Sequence, residues 1–246
     1  MRPDKGKLYY TAYEKRYRSA YEQGADSWIS PPEEKEIREK VANYIERFGL
    51  IGRRVVEFGC GEGVAGLLFA KSGYIYQGYD ISPAAIKKAT VLLSEYTHAE
   101  IRLYDVVLGE FPEEAFDAGI DIQCIHMLIT DADRREYLRN VYKCLKSEAM
   151  MYFIHERYRD DIYDGEVTSY EQWLELTGED VDTPQKMVAV KDGKEFPVMM
   201  PLIASRPRTE RGYREELTEA GFEIIDFERS EKRGLVWADI LVKKAR

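Results

Sequence analysis

The chain has 246 residues, of which 44% are hydrophobic and 33% charged, a soluble globular composition long enough for one α/β domain with insertions. No apolar run approaches the ~20 residues of a membrane span. Met1-Arg2-Pro3-Asp4-Lys5 leads into tyrosines and charges with no signal core, so a cytoplasmic protein without a membrane partner is expected. A net charge of -9 repels phosphate backbones and disfavours nucleic acid, while three cysteines without a Cys-x-x-Cys pair argue against a zinc knuckle or a disulfide framework.

The first predicted element is a helix over residues 8–28, in which Tyr10, Tyr13, Tyr17 and Tyr21 recur at helical spacing and share a face. Gly24 ends it. A second helix starts at Ser30-Pro31 with Glu33 three residues after the cap, a capping-box pattern, and its stripe of Ile37, Val41, Tyr44 or Ile45, and Phe48 stops at Gly49. From residue 53 strands and helices alternate, which signals a parallel sheet with crossover helices. Strands are predicted near 54–58, 75–79, 100–104, 116–121 and 149–154, and helices near 62–72, 83–96 and 131–145. After an insertion over 157–206, a helix at 209–220 leads to strands at 222–227 and 235–242, the last pairing as an antiparallel edge. Within the insertion, Asp192-Gly193 between β-prone runs predicts a hairpin.

The segment Glu57-Phe58-Gly59-Cys60-Gly61-Glu62-Gly63 follows an apolar strand and precedes a helix, so its glycines let the backbone turn close to a ligand. A dinucleotide fingerprint needs glycine at position 64, where Val64 stands. Glu57 instead places a carboxylate where it can meet the cationic amino group of a methionine moiety, and a pyrophosphate would be repelled. Asp80 ends the second strand, followed by Ile81, and can accept hydrogen bonds from both ribose hydroxyls. Asp105 ends the third, where its side chain can take an adenine amino group and the Val106 N–H a ring nitrogen.

These residues together resemble the class I S-adenosylmethionine-dependent methyltransferases, over about residues 30–156 and 207–246, and more narrowly the bacterial small-molecule enzymes akin to thiopurine and tellurite methyltransferases. The resemblance implies S-adenosylmethionine as cofactor, S-adenosylhomocysteine as product, and Glu57, Gly59, Cys60, Gly61, Asp80, Ile81, Asp105, Val106 and Asp121 as cofactor contacts. It implies a Rossmann-like α/β fold: seven strands, mostly parallel with the last reversed, and helices on both faces. The expected organisation is an amino-terminal helical cap (1–30), the cofactor-binding core (31–156), an inserted substrate cap (157–206) and the rest of the core (207–246).

For the acceptor side, the resemblance brings Asp121 and His126 to the methyl-donor end of the cofactor. Histidine titrates near neutrality, and His126 or His155 could deprotonate a hydroxyl acceptor, although the alternative of a half-buried histidine satisfied by backbone stands beside it. Tyr17, with Asp121 and His126, completes the catalytic candidates. Tyr13, Tyr17, Trp28, His155 and Arg206 are candidates for holding the acceptor: the aromatics by stacking and Arg206 by clamping an anion. Packing and surface ion pairs are the plainer readings of both sets. A magnesium site at Asp121, His126, His155 and Glu156 lacks enough carboxylates, so no metal is expected. The leading expectation is a methyltransferase acting on a small molecule, as monomer or homodimer. A nicotinamide-dependent oxidoreductase and a non-catalytic partner of the same fold are the alternatives.

Overall fold

A computed structural model describes residues 8–27, 31–48, 53–181, 183–232 and 234–245, with only the backbone of 31–33. Trp28, Ser30 and Gly49 lie outside the described residues. A 3-10 turn (Tyr9–Thr11) opens into α1 (Ala12–Glu22), and α2 (Pro31–Phe48) precedes the alternating part: β1 (Arg54–Phe58), α3 (Val64–Lys71), β2 (Ile75–Asp80), α4 (Pro83–Leu92), β3 (Ala99–Leu103), β4 (Phe116–Ile122), α5 (Asp131–Cys144) and β5 (Leu145–Tyr158). Then follow α6 (Tyr170–Thr177), β6 (Pro184–Lys191), β7 (Lys194–Pro201), α7 (Glu210–Glu219), β8 (Phe222–Lys232) and β9 (Leu235–Lys244).

Seven strands form one sheet in the order β3-β2-β1-β4-β5-β9-β8. Pairings from β3 across to β5 are parallel, and β9 is antiparallel to both neighbours. The reversed last strand is thus as predicted, but it is not the edge: β9 inserts between β5 and β8. Burial explains the placement, because Ala238, Ile240, Leu241 and Val242 of β9 are buried, whereas β8 is largely half-exposed or exposed along its length, as an edge strand can be.

Side-chain alternation assigns the two faces. Val56 and Phe58 of β1, Phe153 of β5 and Ile240 of β9 pack with Tyr137 and Val141 of α5 and Leu217 of α7. Val55, Ala118, Ile120 and Leu241 point the other way, against Ile37 and Val41 of α2 and Phe69 of α3. Strands buried on both faces read as continuous apolar runs, which is why β1 and β4 were readable as strands.

The segment between β5 and α7 contains α6, which the sequence reading had not resolved, and the expected hairpin. Asp192 and Gly193 turn it with φ of 50° and 71°, the positive pair a two-residue turn requires. The hairpin docks on α1: the Asp26 N–H donates to the Val190 carbonyl at 2.7 Å, and Ala20, Ala189, Val198 and Met200 form a small core of their own.

One buried ion pair braces the helices behind the sheet. Arg134 of α5 donates from Nε and Nη2 to the two carboxylate oxygens of Glu216 on α7, at 2.8 and 2.5 Å. Its Nη1 donates to the carbonyls of Ile125 and Leu128, which frame the 3-10 turn at Ile125–Met127. Arg134→Ala leaves these acceptors facing a void and should destabilise the protein by ~3–5 kcal/mol in urea unfolding; Arg134→Lys, lacking the planar fork, should recover only part of it.

Candidate cofactor and acceptor site

The order of strands reverses between β2-β1 and β4, so a crevice opens beyond the carboxyl ends of β1 and β4. The chain leaves β1 through a turn that side chains would obstruct. Gly59 has φ of 71° and a Cβ there would lie 2.7 Å from the Cys124 sulfur, while Gly61 has φ of 50° and its Cβ would lie 2.9 Å from the Tyr17 hydroxyl. The turn is held from β2: the Asp80 carboxylate accepts the N–H of Gly61 and that of Ser82, both at 2.8 Å.

A cavity of about 600 Å³ fills the crevice. Glu57, Gly59, Cys60 and Gly61 line it from the β1 turn, Asp80 and Ile81 from the end of β2, and Asp105 and Val106 from the end of β3. Glu57 is only 2% exposed, hydrogen-bonds the Tyr76 hydroxyl, and burial pushes its carboxyl up to about 8. Burial also raises the Asp80 pKa, against the pull of its backbone N–H donors. Asp105 accepts the N–H groups of Val107 and Leu108 at 2.9 Å and the Tyr10 hydroxyl at 3.2 Å.

Asp121 is placed differently from expectation. It is wholly buried beneath the loop after β4, where its carboxyl accepts the N–H of Cys124 at 2.8 Å, the N–H of Ile125 at 3.1 Å and the Tyr137 hydroxyl at 2.6 Å. It is absent from the cavity wall. Burial and the neighbouring Glu156 hold its pKa well above the usual carboxylate range, so it acts as a buttress under the loop. Arg206 is likewise fully buried and away from the cavity: it donates to the Ile129 carbonyl, to Asp131 and to the Gly165 carbonyl, joining the start of α5 to the segment after β5.

The remaining acceptor-side candidates do meet the cavity. Tyr13 and Tyr17 line it from α1, His126 from the 3-10 turn and His155 from β5. Burial, aided by Asp80 and Glu62, raises the Tyr17 hydroxyl, which keeps it protonated. His126 Nδ1 lies 2.7 Å from Glu156 Oε2, and burial together with Arg157 lowers its pKa to about 3. His155 has φ of 56° and its Nε2 pairs with Glu36 at 2.9 Å. The sequence reading missed Arg16, Arg157, Glu179 and Trp237, which share this wall. Only the alternation of Val236-Trp237-Ala238 along a strand hinted at Trp237.

The tyrosine face of α1 closes the crevice. Tyr10 reaches Asp105, Tyr13 reaches Met127 and Tyr21 donates to Glu62 at 2.7 Å. Glu14 accepts from the Ser82 hydroxyl at 2.7 Å and the Ala84 N–H at 3.0 Å, at the positive end of α4. Among the described residues, no group of three or more potential ligands is placed to hold a metal ion, and no helix is long and apolar enough to cross a membrane.

Residues 56–151 match the methyltransferase domain family. The whole chain is similar in fold to 1,6-didemethyltoxoflavin-N1-methyltransferase of Burkholderia thailandensis, solved with 1,6-didemethyltoxoflavin and S-adenosylhomocysteine, at 17% identity over 100% of this chain and 93% of that one, TM-score 0.66. It is similar to a SAM-dependent methyltransferase of Methanosarcina mazei (18% identity, 82% of this chain, 97% of that one, TM-score 0.63). A third is magnesium protoporphyrin IX methyltransferase of Synechocystis (14% identity, 96% and 95%, TM-score 0.62). No curated protein sequence matches the chain. Residues 56–151 thus match a methyltransferase domain, and the sheet has the fold of these methyltransferase neighbours. S-adenosylhomocysteine is bound in two of these neighbours, and the cavity lining suits such a group: the Glu57 and Asp80 carboxylates could meet its amino and ribose groups, beside a turn at Gly59 and Gly61 that carries no side chain.

Replacing Gly61 by alanine should destabilise the protein by ~1–2 kcal/mol through strain and collision with Tyr17. Thermal unfolding of Gly61→Ala with and without Tyr17→Phe should show the second change relieving part of the loss.

Proposed function

We propose that the chain transfers a methyl group from S-adenosylmethionine to a small-molecule acceptor held in the same cavity. One observation carries this reading: the cavity continues without a break from the turns after β1, β2 and β3 to a second wall of His126, His155, Arg157 and Trp237. Roofing by α1 and by Met187 and Val188 of the hairpin suits a free small molecule better than a polymer. Bound there, the cofactor supplies an electrophilic methyl on a positively charged sulfur that leaves as a neutral thioether.

In this reading Glu57 faces the amino-acid end, Asp80 takes the ribose hydroxyls with the lone pairs its two backbone N–H donors leave over, and Asp105 with the Val106 N–H faces the adenine. Tyr13 and Tyr17 close over the reacting groups and exclude water, so that alignment of acceptor and methyl is the main contribution to rate. Asp121 supports the loop that presents His126 and needs no contact with either ligand.

Glu57 makes cofactor binding sensitive to pH. Burial keeps its proton until about 8, whereas a cationic amino group favours the ionised form, so binding below that pH expels a proton. Affinity for S-adenosylhomocysteine should therefore rise from pH 6 towards 8, by up to about tenfold per unit, and level off above. Calorimetry in buffers of different ionisation heat checks it; Glu57→Gln should flatten the slope. Pure insensitivity in the native protein would remove Glu57 from the amino-acid end.

His126 carries the acid-base chemistry. Glu156 is wholly buried, and burial raises its carboxyl to about 8. Below that pH its proton is donated to His126 Nδ1, which also faces the Arg157 N–H at 3.3 Å, and Nε2 carries the ring hydrogen. When Glu156 ionises, the hydrogen moves to Nδ1 and Nε2 becomes a base. With a hydroxyl acceptor the rate should rise through a midpoint near 8, and Glu156→Gln, which has no titrating carboxyl, should abolish the rise. An acceptor attacking through a neutral amine should show no such limb.

A further inference from the structure

The cavity is electrically polarised. Glu57, Glu62, Asp80 and Asp105 line it beside the turns after β1, β2 and β3, while Arg16, Arg157 and Lys232 bring its positive charges, with Glu179 as a carboxylate near Arg157, in a chain whose net charge is -9. Lys232 is matched, since its ammonium and the His155 ring both pair with Glu36. Arg157 makes no direct ion pair among the described residues. Its backbone N–H faces His126 and its carbonyl accepts the Tyr213 hydroxyl at 2.9 Å, but the guanidinium lies over the Trp237 ring, 5.2 Å from the centroid. Among the described residues no carboxylate comes within 4.0 Å of it. Glu179, also on the wall, attracts Arg157 without forming an ion pair.

A partly buried guanidinium without an anion is costly to the fold. Stacked on an aromatic face at a cavity wall, it offers a planar fork of donors that matches a carboxylate. Met127, Leu202 and Ile203 supply an apolar lining to the same cavity. We propose that the methyl acceptor is a small carboxylic acid, its carboxylate held by Arg157 on the Trp237 ring and its apolar body lying along Met127, Leu202 and Ile203. This rests on reading the cavity as a methyltransferase site. An anion there also offsets the positive field of Arg157, the charge that most disfavours protonation of His126, so acceptor binding makes the neighbouring base stronger.

The test uses the full chain saturated with S-adenosylhomocysteine and matched pairs of probes: benzoate and benzamide, phenylacetate and phenylacetamide, hexanoate and hexanamide. Binding is followed by the indole N–H resonance of Trp237, assigned with Trp237→Phe. The carboxylates should bind about tenfold or more tightly than their amides, as a charge-assisted bond to a guanidinium implies, and Arg157→Leu should erase the preference while S-adenosylhomocysteine still binds. The comparison of acid with amide in the native protein needs no variant. Amides binding as well as acids, or no acid shifting Trp237 at tens of millimolar, overturns the carboxylate proposal alone. Failure of the native protein to bind S-adenosylhomocysteine overturns the methyltransferase reading and this inference with it.

Discussion

The turn that carries the chain out of β1 is the constraint on which the site depends. It must bend back at once into α3 while leaving a bare backbone surface beside the crevice, and positive φ at Gly59 and Gly61 permits both. The Asp80 carboxylate then fixes that surface by accepting the Gly61 N–H, so the residue that closes the second strand also shapes the turn after the first. Buried Glu57 sits just below. Three carboxyl ends of parallel strands thereby converge on one volume.

Opposing electrostatics organise that volume. Burial alone makes a carboxyl hold its proton and an arginine resent its charge, and the cavity contains both. A cation placed near Glu57 and an anion placed near Arg157 each relieve a local cost, which ties the order of the ligands along the cavity to the order of the strands in the sheet. His126 feels the second of these, since burial and Arg157 together lower its pKa. His126 is linked to the buried Glu156 and through it to Asp121, whose pKa Glu156 raises, and Arg134 Nη1 holds the Ile125 and Leu128 carbonyls at the two ends of its turn.

Strands β1 and β4 were legible because burial on both faces writes apolar runs into the sequence, whereas β3 is mostly exposed; the turns after β1 and β2 were legible because glycine spacing and strand-end carboxylates follow local geometry. Side-chain direction was not. Asp121 ends β4 in the right place, yet its carboxyl turns inward to satisfy the N–H groups of Cys124 and Ile125, a choice made by the conformation of the following loop. Arg206 is turned from the cavity for a similar reason: it pairs with Asp131, the plainer of its two readings, and its donors meet carbonyls of residues 129 and 165, far away in sequence. The position of β9 depends on which strand edge is open once the sheet has formed, and Arg157 and Trp237 face each other only because β9 pairs with β5 at that register.

The anchors of α1 and of the turn before it are all distant in sequence. Tyr9 bonds Asp133 across 124 residues, Tyr13 meets Met127 across 114 and Tyr10 meets Asp105 across 95. The loops that receive them do not exist until β1 to β4 have assembled, so the closure entropy of these long loops is met only by a sheet already in place. The helix that comes early in the chain therefore finds its docking sites only once the sheet has formed.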